Sequence, residues 1–242
     1  MDLMKKAEDH DELAALCALL LIWICAIIAP HQDAVSAEVF SEEKARSILI
    51  IDPGHGGMDG GACAPDGTKE SVLNLSIALQ LRDLGKLLGI SSVMTRNREA
   101  LDYPPEITSV AERKRWDTRR RCEEINGVEN GLLISIHQNI YPSSGPWGAQ
   151  VLYSSDKASR EWGERMQGLL SSALCPENRR VAVPADHSIY LMNHVLCPAV
   201  LVECGFLSNP AELTKLKNSE YQLCLAAVLA QSVLEQIEER IL

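Results

Sequence analysis

The stretch that decides the fold class of this chain is Ile48-Leu49-Ile50-Ile51-Asp52-Pro53-Gly54-His55-Gly56-Gly57. Four apolar residues with strand propensity run into a turn that contains one proline and three glycines, and the imidazole of His55 lies in that turn. Loops that follow buried strands are common positions for reactive side chains. On its own, the turn is equally consistent with a solvated histidine, so the role of His55 depends on residues further along the chain.

Downstream of this turn, predicted helices alternate with predicted strands. Apolar residues spaced by three and four between Leu73 and Leu88 indicate a long amphipathic helix that Gly89 closes. The later segments, in order, are a strand at 90–95, a charged helix near 111–125, a strand at 132–136, an edge strand at 149–153, a helix at 157–174, apolar runs at 189–192 and 199–202, and a final helix from about Ser219. The pattern predicts a single α/β domain over residues 47–242, with a mostly parallel twisted sheet and helices on both faces.

Residues 1–46 form a different kind of segment. The uncharged stretch 13–29, from Leu13 to Ala29, is rich in Leu, Ile and Ala and is typical of a membrane-directed segment, at the short end for a bilayer span. Val35-Ser36-Ala37 offers small residues at a signal-peptidase spacing, so cleavage after Ala37 competes with retention as a membrane anchor. In either case the remainder of the chain is expected to be exported.

Composition excludes some functions. A formal net charge of -10 argues against nucleic-acid binding, which needs an excess of clustered cations. None of the eight cysteines forms a Cys-x-x-Cys pair, which argues against a structural zinc site. Aromatic residues make up 5% of the chain, and Trp147 and Trp162 are the candidates for stacking on a sugar, although core packing is expected of each.

Three predicted apolar strands end at His55, His137 and Glu203. In open α/β sheets, the carboxyl ends of the strands share one edge, where ligands bind. Glu70 joins this edge from the start of the long helix, although a carboxylate there would also stabilise a helix dipole without any other role. Two imidazoles and one carboxylate that leave a fourth position open are typical of catalytic zinc, so His55, Glu70 and His137 are candidate zinc ligands.

A hydrolytic site of this kind needs one more group to accept a proton and pass it to the leaving nitrogen. Glu203 is the candidate, because it follows an apolar strand and burial raises the pKa of a carboxyl group toward the working pH. A salt-bridged glutamate at a strand end is the plainer alternative.

These residues lie in segments that resemble the zinc-dependent N-acetylmuramoyl-L-alanine amidases of bacterial cell walls. The segments are Asp52-Pro53-Gly54-His55-Gly56-Gly57, Lys69-Glu70-Ser71, Thr95-Arg96, Ser135-Ile136-His137-Gln138-Asn139 and Val202-Glu203-Cys204-Gly205-Phe206-Leu207-Ser208-Asn209. The resemblance spans nearly everything from Ser47 onward. It implies that His55, Glu70 and His137 ligate zinc and that Glu203 is the catalytic acid and base.

Within that family, three further segments look most like the germination-specific amidase of spore formers. They are Trp147-Gly148-Ala149-Gln150, Ile189-Tyr190-Leu191-Met192 and Gly205-Phe206-Leu207-Ser208-Asn209-Pro210. The resemblance implies a peptidoglycan or cortex muropeptide substrate, and a location at the outer face of the membrane, in the cell wall or in the spore cortex. An activating protein partner is compatible with it, but the sequence names none.

Four residues are weaker candidates for substrate binding or for support of the ligands. Asp52 is expected either to orient His55 through its other ring nitrogen or simply to form the turn before Pro53. Arg121 matches an arginine of the family pattern, and Arg96 and Asn139 lie in matching motifs. The other cations around Arg121 are expected to form a solvated helix face.

Two alternative functions remain open from the sequence. Cys204 could pair with His137 in a thiol amidase, although no helix start or cation is evident that would stabilise a thiolate there. A noncatalytic module that binds the cell wall or a partner on an amidase fold is the other alternative. It is disfavoured because all four proposed catalytic positions hold competent residues.

Overall fold

The computed structural model describes residues 47–241, so the predicted membrane-directed segment and its cleavage site lie outside the described residues. The elements are β1 (Ile48–Pro53), α1 (Glu70–Leu87), β2 (Ser92–Met94), α2 (Val110–Asn126), β3 (Gly131–Asn139), β4 (Gln150–Tyr153), α3 (Lys157–Leu174), β5 (Val183–Pro184), α4 (Tyr190–His194), β6 (Ala199–Phe206), α5 (Pro210–Leu216) and α6 (Ser219–Ile241). Among these helices, none is both long enough and apolar enough to span a bilayer.

The strands form one mixed sheet in the order β2-β1-β3-β6-β4-β5. Strands β2, β1, β3 and β6 run parallel, whereas β4 is antiparallel to β6 and β5 is parallel to β4. The predicted single α/β domain with a mostly parallel sheet is confirmed. The prediction of β4 as an edge strand is wrong, because the two-residue strand β5 lies outside it. A strand of that length has no periodicity from which it could be predicted.

Helices cover both faces of the sheet, as predicted. Leu49 and Ile51 of β1 face the cluster formed by α1, α3 and α6, and Ile50 faces the cluster formed by α2 and α4. All three side chains are at most 1% exposed. Burial on both faces explains why β1 reads as a continuous apolar run rather than as an alternating one.

The two tryptophans singled out in the sequence have different environments. Trp162 on α3 is fully buried, and its Nε1 donates a hydrogen bond to Ser232 Oγ of α6 at 2.9 Å. Core packing, expected of both residues, is therefore correct for Trp162. It is wrong for Trp147, whose residue is 41% exposed in the loop before β4.

A buried polar network fixes the carboxyl end of β1. The carboxylate of Asp52 accepts hydrogen bonds from Thr95 Oγ1 at 2.6 Å, from Ser135 Oγ of β3 at 2.6 Å and from Arg121 of α2 at 2.9 Å. Burial alone would raise the pKa of Asp52, but the charge of Arg121 and these hydrogen bonds outweigh it and lower the pKa to about 2. Asp52 therefore stays ionised and ties α2 and β3 to the strand that precedes His55.

Replacing Asp52 is expected to change both stability and its pH dependence. Asp52→Asn should lower the free energy of unfolding by about 3 kcal/mol at pH 7, because it leaves the buried Arg121 charge partly uncompensated. The folded-state pKa lies below the ordinary value of 3.8, so this stabilisation is complete above that value and is lost as the pH falls toward 2. About 2 kcal/mol of the difference between the two proteins should disappear over that range.

Urea unfolding of both proteins from pH 7 to pH 2, followed by circular dichroism, measures this difference in the free energy of unfolding. The contributions of the other titrating groups cancel, because both proteins share them. Asp83→Asn is the control, because the Asp83 side chain is 66% exposed in its ion pair with Arg82. A gap between wild type and Asp52→Asn that stays constant with pH would contradict the assignment.

Candidate metal centre

The turn after β1 has an unusual backbone that brings His55 toward the sheet. His55, Gly56 and Gly57 have φ values of 61°, 127° and 59°, and positive φ is uncommon for a residue other than glycine. The carbonyl oxygen of His55 accepts a hydrogen bond from Arg121 at 2.6 Å, which holds this conformation. At Gly54, an added Cβ would overlap the His137 ring, so glycine is needed for the close approach of turn and ring.

The three residues that the sequence selected as ligands come together. The potential ligand atoms of His55, Glu70 and His137 all lie within 4.8 Å of one another. His55 Nε2 is 3.3 Å from Glu70 Oε2, and His137 Nδ1 is 2.9 Å from Glu70 Oε1. The turn after β1, the first residue of α1 and strand β3 thus each supply one side chain. Two imidazoles around a carboxylate form a donor set suited to a divalent metal ion such as zinc.

The strand positions of His137 and Glu203 differ from the prediction in one detail. Neither residue ends its strand, because β3 continues to Asn139 and β6 to Phe206. His137 and Glu203 are instead direct neighbours across the parallel pair β3–β6. Their proximity therefore comes from the register of β3 and β6, which shifts just after this pair. The strands end two residues after His137 and three residues after Glu203.

Glu70 is buried and held by several donors. Its Oε2 accepts a hydrogen bond from the backbone N–H of Ala62 at 2.8 Å, and its Oε1 accepts one from the backbone N–H of Gln138 at 3.1 Å. Asn74, one turn along α1, donates to the same Oε1 at 3.3 Å and to the Gly54 carbonyl at 3.1 Å. Burial opposes ionisation of Glu70, but the neighbouring imidazoles outweigh it and hold the pKa of Glu70 well below its usual range.

A second carboxylate, which sequence reasoning missed, orients His55. Asp59 Oδ2 lies 2.9 Å from His55 Nδ1 and 3.1 Å from Lys114 Nζ of α2. Of the two alternatives for Asp52, the one in which it orients His55 is wrong, because the Asp52 carboxylate faces Thr95, Ser135 and Arg121 instead. The available signal was the placement of Asp59 in the same glycine-rich turn as His55, four residues later.

The two carboxylates around His55 make this part of the site favourable for positive charge. Burial alone would lower the pKa of His55, but the hydrogen bonds and charges of Asp59 and Glu70 raise it to about 9. His55 Nε2 faces Glu70, and the ligand atoms of His55 and His137 also lie within 4.8 Å of each other. The donor set and its electrostatics therefore fit a bound cation.

Glu203 and Cys204 are adjacent in β6 but have different environments. Glu203 Oε2 is buried and has no hydrogen-bond partner among the described residues. Burial raises the pKa of Glu203, although the nearby His137 and His55 oppose this effect. Cys204 is 1% exposed, and its thiol pKa is raised by burial and by the charge of Glu203. The Cys204 thiol therefore stays protonated, which argues against the thiol amidase alternative.

The other weak candidates for substrate binding or ligand support are Arg96, Arg121 and Asn139. Arg96 is buried and donates to the carbonyl oxygens of Pro53, Gly54 and Ser71 at 2.9, 3.0 and 2.8 Å. Arg121 donates to the Pro53 carbonyl at 2.8 Å in addition to its bonds with Asp52 and His55. These two arginines thus hold the backbone beside the centre. Asn139 ends β3, where its carbonyl accepts from the Leu207 backbone N–H at 2.8 Å.

His55 and His137 open into a cavity of about 600 Å³. One wall is formed by α2 and includes Lys114, Arg115 and Arg119. Residues 188–191, which include the start of α4, form another wall. The cavity gives a substrate access to the candidate metal centre, and its walls were not predicted from the sequence.

Comparisons with known proteins agree with this architecture. A family model described as N-acetylmuramoyl-L-alanine amidase matches residues 49–235. The germination-specific N-acetylmuramoyl-L-alanine amidase of Bacillus subtilis is 38% identical over 195 residues, which cover 80% of this chain and 81% of the relative.

Two solved structures are also similar. The CwlD amidase from Clostridioides difficile, in complex with the GerS lipoprotein, has a TM-score of 0.76 and 32% identity, over 80% of this chain and 99% of that chain. An N-acetylmuramoyl-L-alanine amidase from Clostridium difficile 630 has a TM-score of 0.67 and 28% identity, over 80% of this chain and 97% of that chain. With the family model matched across the sheet, the turn of His55 and the strand of Glu203, this chain belongs to the N-acetylmuramoyl-L-alanine amidase family.

Proposed function

We propose that this chain is a zinc-dependent hydrolase that cleaves the amide between N-acetylmuramic acid and L-alanine in peptidoglycan, and that His55, Glu70 and His137 hold the zinc ion. The observation that carries the proposal is the approach of these three donor groups to within 4.8 Å of one another, beside a buried and unpaired Glu203 oxygen. When bound, zinc supplies Lewis-acid polarisation of a carbonyl group and increases the acidity of water.

Glu203 is proposed as the proton carrier. It accepts a proton from the attacking water and transfers it to the departing alanine nitrogen, so that the products are a free muramoyl carboxyl group and a free amine. Burial raises the pKa of Glu203 toward the working pH, as both halves of this role require. Because Oε2 has no partner among the described residues, no competing hydrogen bond has to break before it meets the reacting atoms.

Two other residues are proposed to position the ligands. Asp59 fixes the orientation of the His55 ring through Nδ1 and leaves Nε2 to face Glu70. Asn74 and the backbone N–H groups of Ala62 and Gln138 hold the Glu70 carboxylate. Partners of this kind set both ligand geometry and metal affinity.

The biological setting is also a proposal. The 38% identical relative from Bacillus subtilis is a germination-specific amidase, which supports action on the spore cortex by an exported enzyme. The neighbour from Clostridioides difficile forms a complex with a lipoprotein, and we propose that this chain also engages a protein partner. Membrane contact through residues 13–29 remains a prediction outside the described residues.

Replacement of Glu203 tests the proposed chemistry. Glu203→Gln should retain one zinc ion per chain but release free alanine amino groups from muropeptides about 10²- to 10⁴-fold more slowly, because the proton carrier is lost. Cys204→Ala is the matched control at the adjacent position and should retain most activity. Mass spectrometry of the products identifies the bond cleaved, and a chelator followed by added zinc should abolish and restore the reaction.

Two results would count against this mechanism. Full activity after complete metal removal would exclude a zinc hydrolase. Loss of activity in a folded, zinc-loaded Cys204→Ala variant, with Glu203→Gln still active, would favour the thiol route.

Replacement of Asn74 tests the support of Glu70. Asn74→Leu should weaken zinc binding about ten- to hundredfold, because Glu70 loses a donor that fixes its orientation. Competition with a chromophoric chelator measures this affinity independently of turnover. Gln222→Leu is the control. Gln222 lies on helix α6, is also buried, and accepts hydrogen bonds from Ser76 and Gln80 of α1. Equal zinc affinity in wild type and Asn74→Leu would remove Asn74 from this role.

A further inference from the structure

Helix α2 carries six cations, and four of them already have partners. Arg113 donates to the Ile107 carbonyl, Lys114 pairs with Asp59, Arg120 pairs with Glu124 and Asp117, and Arg121 pairs with Asp52 and Asp117. The predicted solvated helix face is correct for Lys114, Arg115 and Arg119, which are exposed, whereas Arg113 and Arg120 are half-buried.

Arg115 and Arg119 are different. Both are exposed, and both line the same cavity as His55 and His137. Among the described residues, no hydrogen bond or ion pair joins either guanidinium group to another side chain, although Arg115 interacts electrostatically with Glu112. The two residues are four positions apart on one helix and therefore point to the same side, about 6 Å apart along the helix axis.

The charge balance of the cavity leaves these two cations uncompensated. The acids in its lining are Asp52, Asp59 and Asp117, and each is paired with a cation of α2. The wall formed by residues 188–191 contains Ile189, Tyr190 and Leu191, which carry no charge. In a chain with a net charge of -10, this cavity is thus a local site for anions.

We propose that Arg115 and Arg119 form a carboxylate subsite that makes the enzyme select acidic stem peptides, those with free carboxylates beyond the alanine, over stem peptides in which these groups are amidated. The inference rests on the proposed function, because the scissile amide would lie at the candidate metal centre and the rest of the stem would extend along the cavity.

Successive residues of an extended peptide advance by about 3.3–3.6 Å. The carboxylates of the second and third stem residues would therefore lie one or more residue lengths away from the reacting carbonyl and from the candidate metal centre. Guanidinium groups bind carboxylates with two parallel hydrogen bonds, which an amide cannot reproduce with the same charge.

The test uses synthetic N-acetylmuramoyl tripeptides with free carboxylates, and matched tripeptides amidated at the second residue, at the third residue or at both. Full-length, zinc-loaded wild type should show a kcat/KM about tenfold higher for the acidic peptide than for the doubly amidated one. Arg115→Ala and Arg119→Ala should each reduce this preference about threefold, mainly through KM, and the double variant should abolish it. The preference should also weaken as the salt concentration rises. The singly amidated peptides identify which carboxylate is bound.

Arg160→Ala is the matched control, because Arg160 is an exposed arginine of α3 that does not line the cavity. Circular dichroism should show that wild type and all four variants are folded. Equal kcat/KM for acidic and amidated peptides in wild type, or an unchanged preference in the double variant, would overturn the subsite alone. Failure of wild type to release a tripeptide with a free alanine amino group from any of these substrates would overturn the proposed function and the subsite with it.

Discussion

The carboxylate of Glu70 lies between the imidazoles of His55 and His137, and the local structure depends on keeping a negative charge in that buried position. An isolated buried carboxylate is costly, so it must be compensated by hydrogen bonds and opposite charge. Glu70 is 3% exposed and receives two backbone N–H groups and the amide of Asn74. It is also the first residue of α1, where the helix dipole favours an anion. The sequence offered this last explanation for Glu70 as an alternative to a place beside the two imidazoles, and the structure has both features.

A second set of interactions keeps the two imidazoles at the carboxylate. Arg96 and Arg121 donate to carbonyl oxygens of the turn that carries His55, and Asp52 holds Arg121 in place. The positive φ of His55 persists because neighbouring groups fix the backbone on both sides. Arg96 and Arg121 thus set the backbone geometry on which the candidate metal centre is built.

Much of this architecture could be predicted from the sequence, because the informative residues follow long apolar strands. The strands β1, β3 and β6 are buried on both faces and therefore stand out as apolar runs, and the residues after or near their ends include His55, His137 and Glu203. Other features lacked such a signal. Asp52 was considered as the carboxylate that orients His55, with turn formation as the alternative, because the sequence beside a turn gives no information about which way a side chain points. Strand β5 is too short for a periodic pattern. The charges of α2 could be counted from the sequence, but which of them have partners depends on tertiary contacts with Asp52 and Asp59.

We propose that His55, Glu70 and His137 together hold one zinc ion. Anomalous diffraction from crystals of the zinc-loaded protein, recorded on both sides of the zinc absorption edge, tests it most directly. A single strong anomalous peak is expected among residues 47–241, about 2.0–2.2 Å from a nitrogen of each histidine and from an oxygen of Glu70. A peak held by other residues, or no peak at this centre in protein that contains one zinc ion per chain, would contradict it.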